Sequence, residues 1–431
     1  MNEHSIGANM MDFMRLLWPI NRSITGAGLR ETLRLIQQEL PELNLIEVST
    51  GTKVLDWTIP EEWVVHEARL TDPEGRCIAD IQLNNLHLMG YSVGVDEVLS
   101  LEELQSHLYS LPEQPDAIPY VTSYYKKNWG FCISHEVREA LKPGNYHAFI
   151  KASHIQGSLS IGELVIPGTS EQEVFISTYC CHPSMANNEL SGPCLATFLA
   201  KWLKQQPSLK YTYRFVFIPE MIGSAAYLSL KKDHLKKHVV AGFNLTCVGD
   251  NRSWSYLPSR LGHSYSDCIA QHALKHIAPD CIPYTWFDRG SDESMYCAPG
   301  IDLPVVSVMR TKYGVYPEYH TSLDTLGDVV CADGIEGAYR AHVQMFEMIE
   351  QNVKPIALVE GEPQLGPRGL YPSTSIKGST AVVKDMLNLI SLSDGQHTLL
   401  DIAEKTGRPF WIFTPILKQL LEHQILRIQT I

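Results

Sequence analysis

Residues 173–203 read EVFISTYCCHPSMANNELSGPCLATFLAKWL, and the rest of the chain is interpreted outward from this stretch. The run at 173–177 predicts a buried strand, and the apolar periodicity at 193–203 predicts a helix. His182 therefore lies where a central strand ends and a loop begins. Ligands of open α/β sheets bind at the carboxyl ends of strands. A single histidine at such a place is more often a hydrogen-bonded structural residue, so His182 needs support from elsewhere in the chain.

That support comes from two stretches further along the chain. Residues 215–224 read FVFIPEMIGS, which predicts a strand that ends at Glu220. Residues 319–326 read YHTSLDTL and contribute His320. Two histidines and one carboxylate on separate loops are a plausible ligand set for zinc.

At these positions the chain resembles the di-zinc aminopeptidases of the M28-like kind. That family carries a histidine after one strand, an Asp-Asn-x-Ser-Gly loop, a Glu-Glu pair, an aspartate after a third strand and a final Tyr-His-Thr. His182 matches the first histidine, residues 188–192 match the loop, and Glu220 and His320 match one glutamate and the last histidine. The resemblance implies an α/β fold with a mostly parallel sheet flanked by helices.

A closer resemblance, covering nearly the whole chain, is to bacterial aminopeptidase-like proteins often encoded beside polysaccharide-biosynthesis genes. The shared stretches are RSITG (22–26), DWTIPEEW (56–63), CHPSMAN (181–187), MRTKYGVYPEYHTSLD (309–324) and QLGPRGLYP (364–372). This resemblance implies the same fold but says less about activity.

The chain departs from the family pattern at three positions. Asn188 replaces the aspartate that bridges two metals, and Thr246 replaces the aspartate of the second metal. Pro219 precedes Glu220, so that one glutamate remains for two roles unless Glu189 or Glu293 takes one of them. An uncharged amide bridges two cations poorly. We therefore expect one zinc ion per chain, held by His182 and His320 with Asn188 or Glu220, and Glu220 as the catalytic proton carrier. A fold without metal is the alternative.

Four other residues are assigned roles near the proposed site. Arg310 is a candidate to hold a substrate carboxylate, Glu318 a candidate to hold a substrate amine, and Asp292 in the loop 289–293 a further substrate-binding candidate. Pairing of Arg310 with Glu318 is an equally good interpretation. Asp324 is expected to support the loop or to orient a site group.

Composition narrows the class of protein. The 431 residues carry a net charge of −13, which argues against nucleic acid or anionic membranes as partners of the whole surface. There is no run of about 18 apolar residues, and the first residues lack the pattern of a signal peptide. The ten cysteines form no C-x-x-C pair, which indicates reduced thiols and a cytoplasmic protein. Assembly into a homo-oligomer is left open.

Three domains are predicted from the order of the elements. Residues 1–47 and 129–358 form the aminopeptidase-like α/β domain, 48–128 an inserted small β-domain, and 359–431 a C-terminal winged helix. The basic residues of the winged helix are balanced by acidic ones, so we favour protein interaction or dimerisation over DNA binding.

The predicted function is metal-dependent hydrolysis of an amide bond in a small aminoacyl or peptide-like substrate, such as a biosynthetic intermediate. The alternative is a catalytically degenerate aminopeptidase-like protein that binds a ligand or recruits a partner.

Overall fold

Strands alternate with helices along most of the chain, as the sequence predicts. The computed structural model describes residues 5–370 and 379–429. The strands are β1 (Asn44–Ser49), β2 (Lys53–Val54), β3 (Trp57–Thr58), β4 (Glu62–Thr71), β5 (Cys77–Asp80), β6 (Val95–Ser100), β7 (Leu108–Tyr109), β8 (Phe131–Cys132), β9 (Asn145–Ile155), β10 (Ser158–Ile166), β11 (Glu173–Tyr179), β12 (Thr212–Ile218), β13 (Val239–Asn244), β14 (Ser255–Leu257), β15 (Ile282–Pro283), β16 (Val305–Met309), β17 (Pro355–Ala357) and β18 (Leu426–Ile428). The α-helices are α1 (Ile6–Leu17), α2 (Ala27–Glu39), α3 (Leu101–Leu104), α4 (His135–Glu139), α5 (Ser191–Lys204), α6 (Ile222–His238), α7 (Tyr265–Ile277), α8 (Glu293–Tyr296), α9 (Ala332–Gln351), α10 (Ser379–Ser391), α11 (Leu399–Thr406) and α12 (Phe410–Glu422).

The main sheet has eight strands in the order β1-β10-β12-β11-β13-β16-β14-β15. Its four central strands, β12, β11, β13 and β16, run parallel to one another, while β10 and β14 flank them in the antiparallel direction. Every residue of β11 is buried, as expected of a central strand covered on both faces. The fold is thus a mixed α/β sheet flanked by helices, with a parallel centre, which confirms the predicted class.

The start of α5 lies very close to the ends of two central strands. A Cβ added at Gly192 would lie 2.4 Å from the Leu245 carbonyl oxygen and 2.4 Å from Thr178 Oγ1. Only glycine permits so close an approach. This approach fixes the connection that leads from β11 into α5, and His182 lies on that connection.

A second sheet lies in the same compact unit, which comprises Met1–Asp267 and Ile282–Tyr339. Its strand order is β5-β4-β9-β6, with β9 antiparallel to both β4 and β6. This sheet takes its longest strand from Asn145–Ile155, beyond the expected insert boundary at residue 128, and β1 joins the main sheet. The difference has a physical reason, because strand pairing depends on distant partners that local periodicity does not reveal.

The other compact unit comprises Cys268–Cys281 and Arg340–Ile431. Three helices, α10, α11 and α12, are followed by β18, which pairs antiparallel with β17. Thr398 caps α11 through a reciprocal capping box with Asp401. Three helices and a small antiparallel ribbon are the arrangement of a winged helix, as predicted.

No helix in the described part of the chain is both long enough and apolar enough to span a bilayer.

Candidate active site

A cavity of about 760 Å³ opens at the carboxyl ends of the central strands. His182 in the segment after β11, Glu220 in the segment after β12, and His320 all line it. Because β11 and β12 are parallel neighbours, the segments that follow them meet at one edge of the sheet. The described residues that line the cavity are Ile24, Asp56, Trp57, Thr58, Pro60, Tyr120, Thr122, Tyr124, Tyr125, Cys181, His182, Glu220, Met221, Ile222 and His320.

The imidazole of His182 is held by a buried carboxylate. Its Nδ1 lies 2.9 Å from Glu189 Oε2, and its Nε2 lies 3.5 Å from Glu220 Oε2. Burial, together with the charge of Arg22, lowers the pKa of His182 to about 3, so the ring is neutral. A neutral ring that donates from Nδ1 to Glu189 leaves the Nε2 lone pair available on the side of Glu220.

Glu189 is itself placed by an irregular turn of the chain. It lies in the π-helical turn Ala186–Leu190, directly before α5, and is fully buried. Arg22 lies beside it, with Nε 3.6 Å from Glu189 Oε1, and the same Nε donates to the His182 carbonyl oxygen at 2.9 Å. Burial raises the pKa of Glu189 to about 8, although Arg22 opposes that rise.

Glu220 is fixed on one side and open on the other. Ser291 Oγ donates to its Oε1 at 2.7 Å, which leaves Oε2 towards His182. The next residue, Met221, has a left-handed φ of 62° and donates its N–H to Asp292 Oδ1 at 2.7 Å. Burial raises the pKa of Glu220 well above its ordinary value, and the charge of Asp292 adds to the rise. A carboxylate of this kind accepts a proton more readily than one in water.

His320 faces the same cavity from a strained position. Its φ is 56°, in the left-handed region that non-glycine residues rarely adopt. Its ring stacks on Tyr319 and lies 5.5 Å, centroid to centroid, from the ring of His182. Burial, and then His182, lower the pKa of His320 to about 3. Its buried Nε2 has no hydrogen-bond partner within the described residues. This nitrogen of a neutral imidazole is therefore available to bind a metal or a ligand in the cavity that His320 lines.

Beside these residues lies a network of uncharged groups around Asn188. Its Nδ2 donates to the Tyr179 hydroxyl at 2.7 Å, and that hydroxyl lies 2.6 Å from Thr246 Oγ1. Asp324 accepts the backbone N–H of Asn188 at 2.9 Å, and burial raises the pKa of Asp324 to about 6. The buried Oδ1 of Asn188 has no hydrogen-bond partner in the described part of the chain. Asp324 thus supports the loop that carries Asn188, as the sequence predicts.

The substrate-binding candidates lie elsewhere. Arg310 donates to the Asp250 carbonyl oxygen and to Asn251, and its guanidinium stacks over Trp254. Glu318 forms a bidentate pair with Arg252, at 2.8 and 2.9 Å, rather than with Arg310.

Asp292, the third candidate, is fully buried, and burial raises its pKa to about 7. None of the three belongs to the cavity lining of the described chain. Arg310 and Glu318 are paired with distant partners that the sequence does not specify, and Asp292 accepts through Oδ1 from Met221.

Two residues contact His182 although their sequence context does not mark them as residues of the site. Arg22 and Glu189 complete the surroundings of His182, yet Arg22 lies in a short loop and Glu189 in a turn without helical periodicity. Glu189 lies inside the loop motif at 188–192, and the sequence offers it only as a substitute for the missing second glutamate, not as a partner of His182. Cys181, His182 and Glu189 also bring three potential ligand atoms within 4.8 Å of one another. Burial raises the pKa of the Cys181 thiol well above its ordinary value, which keeps it protonated.

The donor set fits a single zinc ion better than a pair. The imidazoles of His182 and His320 and the carboxylate of Glu220 line the cavity, and His320 Nε2 and Asn188 Oδ1 are buried without partners in the described residues. The positions that would carry anions for a second metal hold Asn188 and Thr246, both engaged with the Tyr179 hydroxyl. A second divalent cation would find neutral oxygen there in place of carboxylate.

Comparison with known families gives two matches that together cover most of the chain. Residues 11–352 match the family described as "Domain of unknown function (DUF4910)". Residues 353–428 match a winged helix-turn-helix family. The second match begins close to the start of β17.

Individual relatives agree with these matches. A protein of Clostridium acetobutylicum called "Putative polysaccharide biosynthesis protein with aminopeptidase-like domain" is 41% identical over 95% of this chain and 94% of its own. The crystal structure of a "putative peptidase" from the same organism is 38% identical, with a TM-score of 0.92 over 98% of this chain and 96% of the other. A zinc aminopeptidase from Bacillus subtilis has a TM-score of 0.57 at 15% identity, over 80% of this chain and 94% of its own, and it shows the shared fold alone.

Proposed function

This chain belongs to the DUF4910 family and carries a C-terminal winged helix-turn-helix, and from that premise we propose that it is a metal-dependent hydrolase. It would cleave an amide bond in a small aminoacyl or peptide-like compound. One observation carries the proposal: His182, Glu220 and His320, from three separate stretches, line one cavity, and His320 Nε2 has no partner among the described residues. The name of the Clostridium relative supports a substrate that is an intermediate of polysaccharide biosynthesis.

His182 and His320 would hold one zinc ion, with Glu220 or Asn188 beside them. When bound, zinc supplies Lewis acidity that polarises a carbonyl and lowers the pKa of water. With His182 donating from Nδ1 to Glu189, the lone pair of its Nε2 would be available to the metal. The zinc aminopeptidase of Bacillus subtilis, whose fold this chain shares, supports the choice of metal.

Glu220 would move the proton during amide cleavage. Its Oε2 would take a proton from the attacking water and deliver it to the leaving nitrogen. Ser291 holds Oε1, so the free oxygen keeps one orientation. Burial raises the pKa of Glu220, and a carboxylate with a raised pKa is a stronger base towards water than an exposed one. The aromatic residues of the lining would keep bulk water from the reacting bond.

The first test measures metal and turnover in the full-length protein purified without chelators. Elemental mass spectrometry should find about one zinc per chain, and less than about a tenth of that in His182→Ala and His320→Ala. The exposed His263 provides the control variant His263→Ala, which should keep its zinc. Both site variants should stay folded and lose turnover of aminoacyl amides.

Other outcomes of the metal and turnover measurements would contradict specific parts of the proposal. About two zinc ions per chain would contradict the argument from Asn188 and Thr246. No zinc in a folded wild-type protein, or full turnover in His320→Ala, would overturn the mechanism. In that case the second candidate, a non-hydrolytic ligand-binding protein, would be favoured, and the uncharged network around Tyr179 is the observation that supports it.

A further inference from the structure

The cavity has two chemically different walls. The site wall consists of Cys181, His182, Glu220, Met221, Ile222 and His320, together with Ile24. The other lining residues, here called the aromatic wall, are Asp56, Trp57, Thr58, Pro60, Tyr120, Thr122, Tyr124 and Tyr125. Apart from excluding bulk water, the roles proposed above use only the site wall, so the aromatic wall is available to bind the rest of the substrate.

Several groups of the aromatic wall are not engaged within the protein. Tyr125 lines the cavity yet is 83% exposed, and Trp57 packs against the hydrophobic core with only part of its surface, so that the rest stays exposed. Asp56 is exposed at the turn between β2 and β3, and its carboxylate has no hydrogen-bond or ion-pair partner in the described part of the chain. By contrast, the hydroxyls of Tyr120 and Tyr124 bond to each other at 3.0 Å. Aromatic faces and one acceptor are therefore presented to a ligand.

The charge of the lining excludes one class of ligand. The described lining contains no lysine or arginine, and its ionisable acids are Asp56 and Glu220. Proteins hold phosphate with arginine, lysine or free helix N-termini. Helix α6 begins at this cavity, but its first N–H groups are already engaged. Met221 donates to Asp292 Oδ1, and Ile222 and Gly223 donate to the carbonyl oxygens of Glu220 and Pro219. A phosphate or a nucleoside diphosphate would find no counter-charge on the aromatic wall.

With phosphate-bearing ligands excluded, the aromatic wall fits a ligand that has both apolar faces and hydroxyl groups. A pyranose ring presents C–H groups that pack on an aromatic face, and hydroxyls that donate to a carboxylate or exchange bonds with threonine. Trp57 and Tyr125 supply the faces, and Asp56, Thr58 and Thr122 supply the polar partners. The volume of about 760 Å³ lies within the range of small-molecule sites and is ample for more than an acyl group.

We propose that the aromatic wall is a glycosyl subsite, which binds the uncharged sugar of an N-acylated amino sugar. The proposal rests on the proposed function, since the amide nitrogen carried by that sugar would then lie towards Glu220 and the two histidines. It names the substrate class as a sugar without phosphate, recognised by Tyr125, Trp57 and Asp56.

The test measures binding, so it does not depend on turnover. Titrations followed by saturation-transfer NMR would use the full-length protein with N,N′-diacetylchitobiose, N-acetylglucosamine 1-phosphate and the dipeptide Ala-Ala. Diacetylchitobiose should bind. Its affinity should fall about tenfold in Tyr125→Ala and about fivefold in Asp56→Asn. Both residues are exposed, so neither change should disturb folding.

Matched variants separate the subsite from general surface effects. Phe287 is 87% exposed and Asp116 is exposed, and neither belongs to the cavity lining. Phe287→Ala and Asp116→Asn should therefore bind the disaccharide as the wild type does. His320→Ala should also keep this binding while losing metal, which distinguishes failure of the hydrolase proposal from failure of the glycosyl proposal.

Three results would overturn the inference. The first is Ala-Ala binding without any disaccharide binding. The second is tighter binding of the sugar phosphate than of the uncharged sugar. The third is disaccharide binding that is unchanged in both Tyr125→Ala and Asp56→Asn.

Discussion

The hydroxyl of Tyr179 lies between Asn188 and Thr246. The resemblance to the zinc aminopeptidases implies that those enzymes carry aspartates at these two positions. The Tyr179 hydroxyl accepts from Asn188 Nδ2 at 2.7 Å and lies 2.6 Å from Thr246 Oγ1. The three side chains hydrogen-bond to one another without any charge, and the one polar atom among them without a partner in the described residues is Asn188 Oδ1. A buried network of this kind stabilises the protein only while every member is paired.

Removing that hydroxyl should therefore destabilise the protein. Tyr179→Phe leaves Asn188 Nδ2 buried without an acceptor, which should lower the free energy of unfolding by about 1–3 kcal/mol. Denaturant unfolding followed by circular dichroism measures the change. Tyr125→Phe alters an exposed tyrosine and should change the free energy by less than about 0.5 kcal/mol. Equal stability of the two variants would show that the Tyr179 network contributes nothing.

At the residue scale, the sequence predicts positions better than partners. His182, Glu220 and His320 reach one cavity, as their places after predicted strands indicate. Whether they hold metal stays a prediction. The partners of Arg310 and Glu318 could not be predicted, because Asp250 and Arg252 come from a distant loop whose path depends on tertiary packing.

Three adjacent strands of the main sheet are joined by one arginine. Arg214 on β12 forms a bidentate pair with Glu173 on β11, at 2.7 Å for both bonds, and contacts Glu163 on β10 at 2.7 Å. Burial by itself would raise the pKa of Glu173. The hydrogen bonds from Arg214 and His234 outweigh that effect and hold the pKa below its ordinary value.

Arg214→Met should leave these carboxylates without their counter-charge. We expect a loss of about 3–5 kcal/mol in the free energy of unfolding near pH 7. Because the folded pKa of Glu173 is depressed, its stabilisation is present above the ordinary value of 4.5 and disappears as the pH falls through the folded value. The difference between wild type and variant should accordingly shrink at acid pH.

Denaturant titrations at neutral and acid pH test this expectation. The control is Arg252→Met, which breaks a pair whose arginine is 41% exposed and should cost less than about 1 kcal/mol. A loss for Arg214→Met that is independent of pH would contradict the electrostatic explanation.

Regular elements of the chain follow from the sequence more closely than irregular ones. The strand expected at 173–177 is Glu173–Tyr179, because β-branched and aromatic runs pack well in a covered sheet. The π-helical turn at Ala186–Leu190 could not be predicted, since it inserts a residue into a helical start without changing composition. The pairing of β9 with β4 and β6 was also not predictable, because it is set by non-local register.

On the scale of the whole molecule, the C-terminal unit includes a segment from the middle of the chain. Residues Cys268–Cys281 belong to it, and His272 within that segment is buried. His272 Nε2 accepts the N–H of Phe410 at 2.9 Å, and His272 Nδ1 bonds to Glu404. The match to the DUF4910 family ends at residue 352 and so omits these partners.

A chain that ends at residue 352 should therefore fold poorly. The buried residues of the segment, including Ile269 and Ala273, would lose their cover, and exposed apolar surface promotes aggregation. Size-exclusion chromatography of the truncated and full-length proteins should show a large loss of monomer in the truncated one. A monomeric truncated protein with an unchanged melting temperature would contradict the assignment of residues 268–281 to the C-terminal unit.

The order of the strands has a consequence for biosynthesis. His182 follows β11, while His320 follows β16, the last central strand to leave the ribosome. A nascent chain cannot present both imidazoles until most of the main sheet has been translated and paired. A zinc ion held as proposed would thus be acquired after folding, and metal shortage in the cell would yield intact but inactive protein rather than misfolded chains.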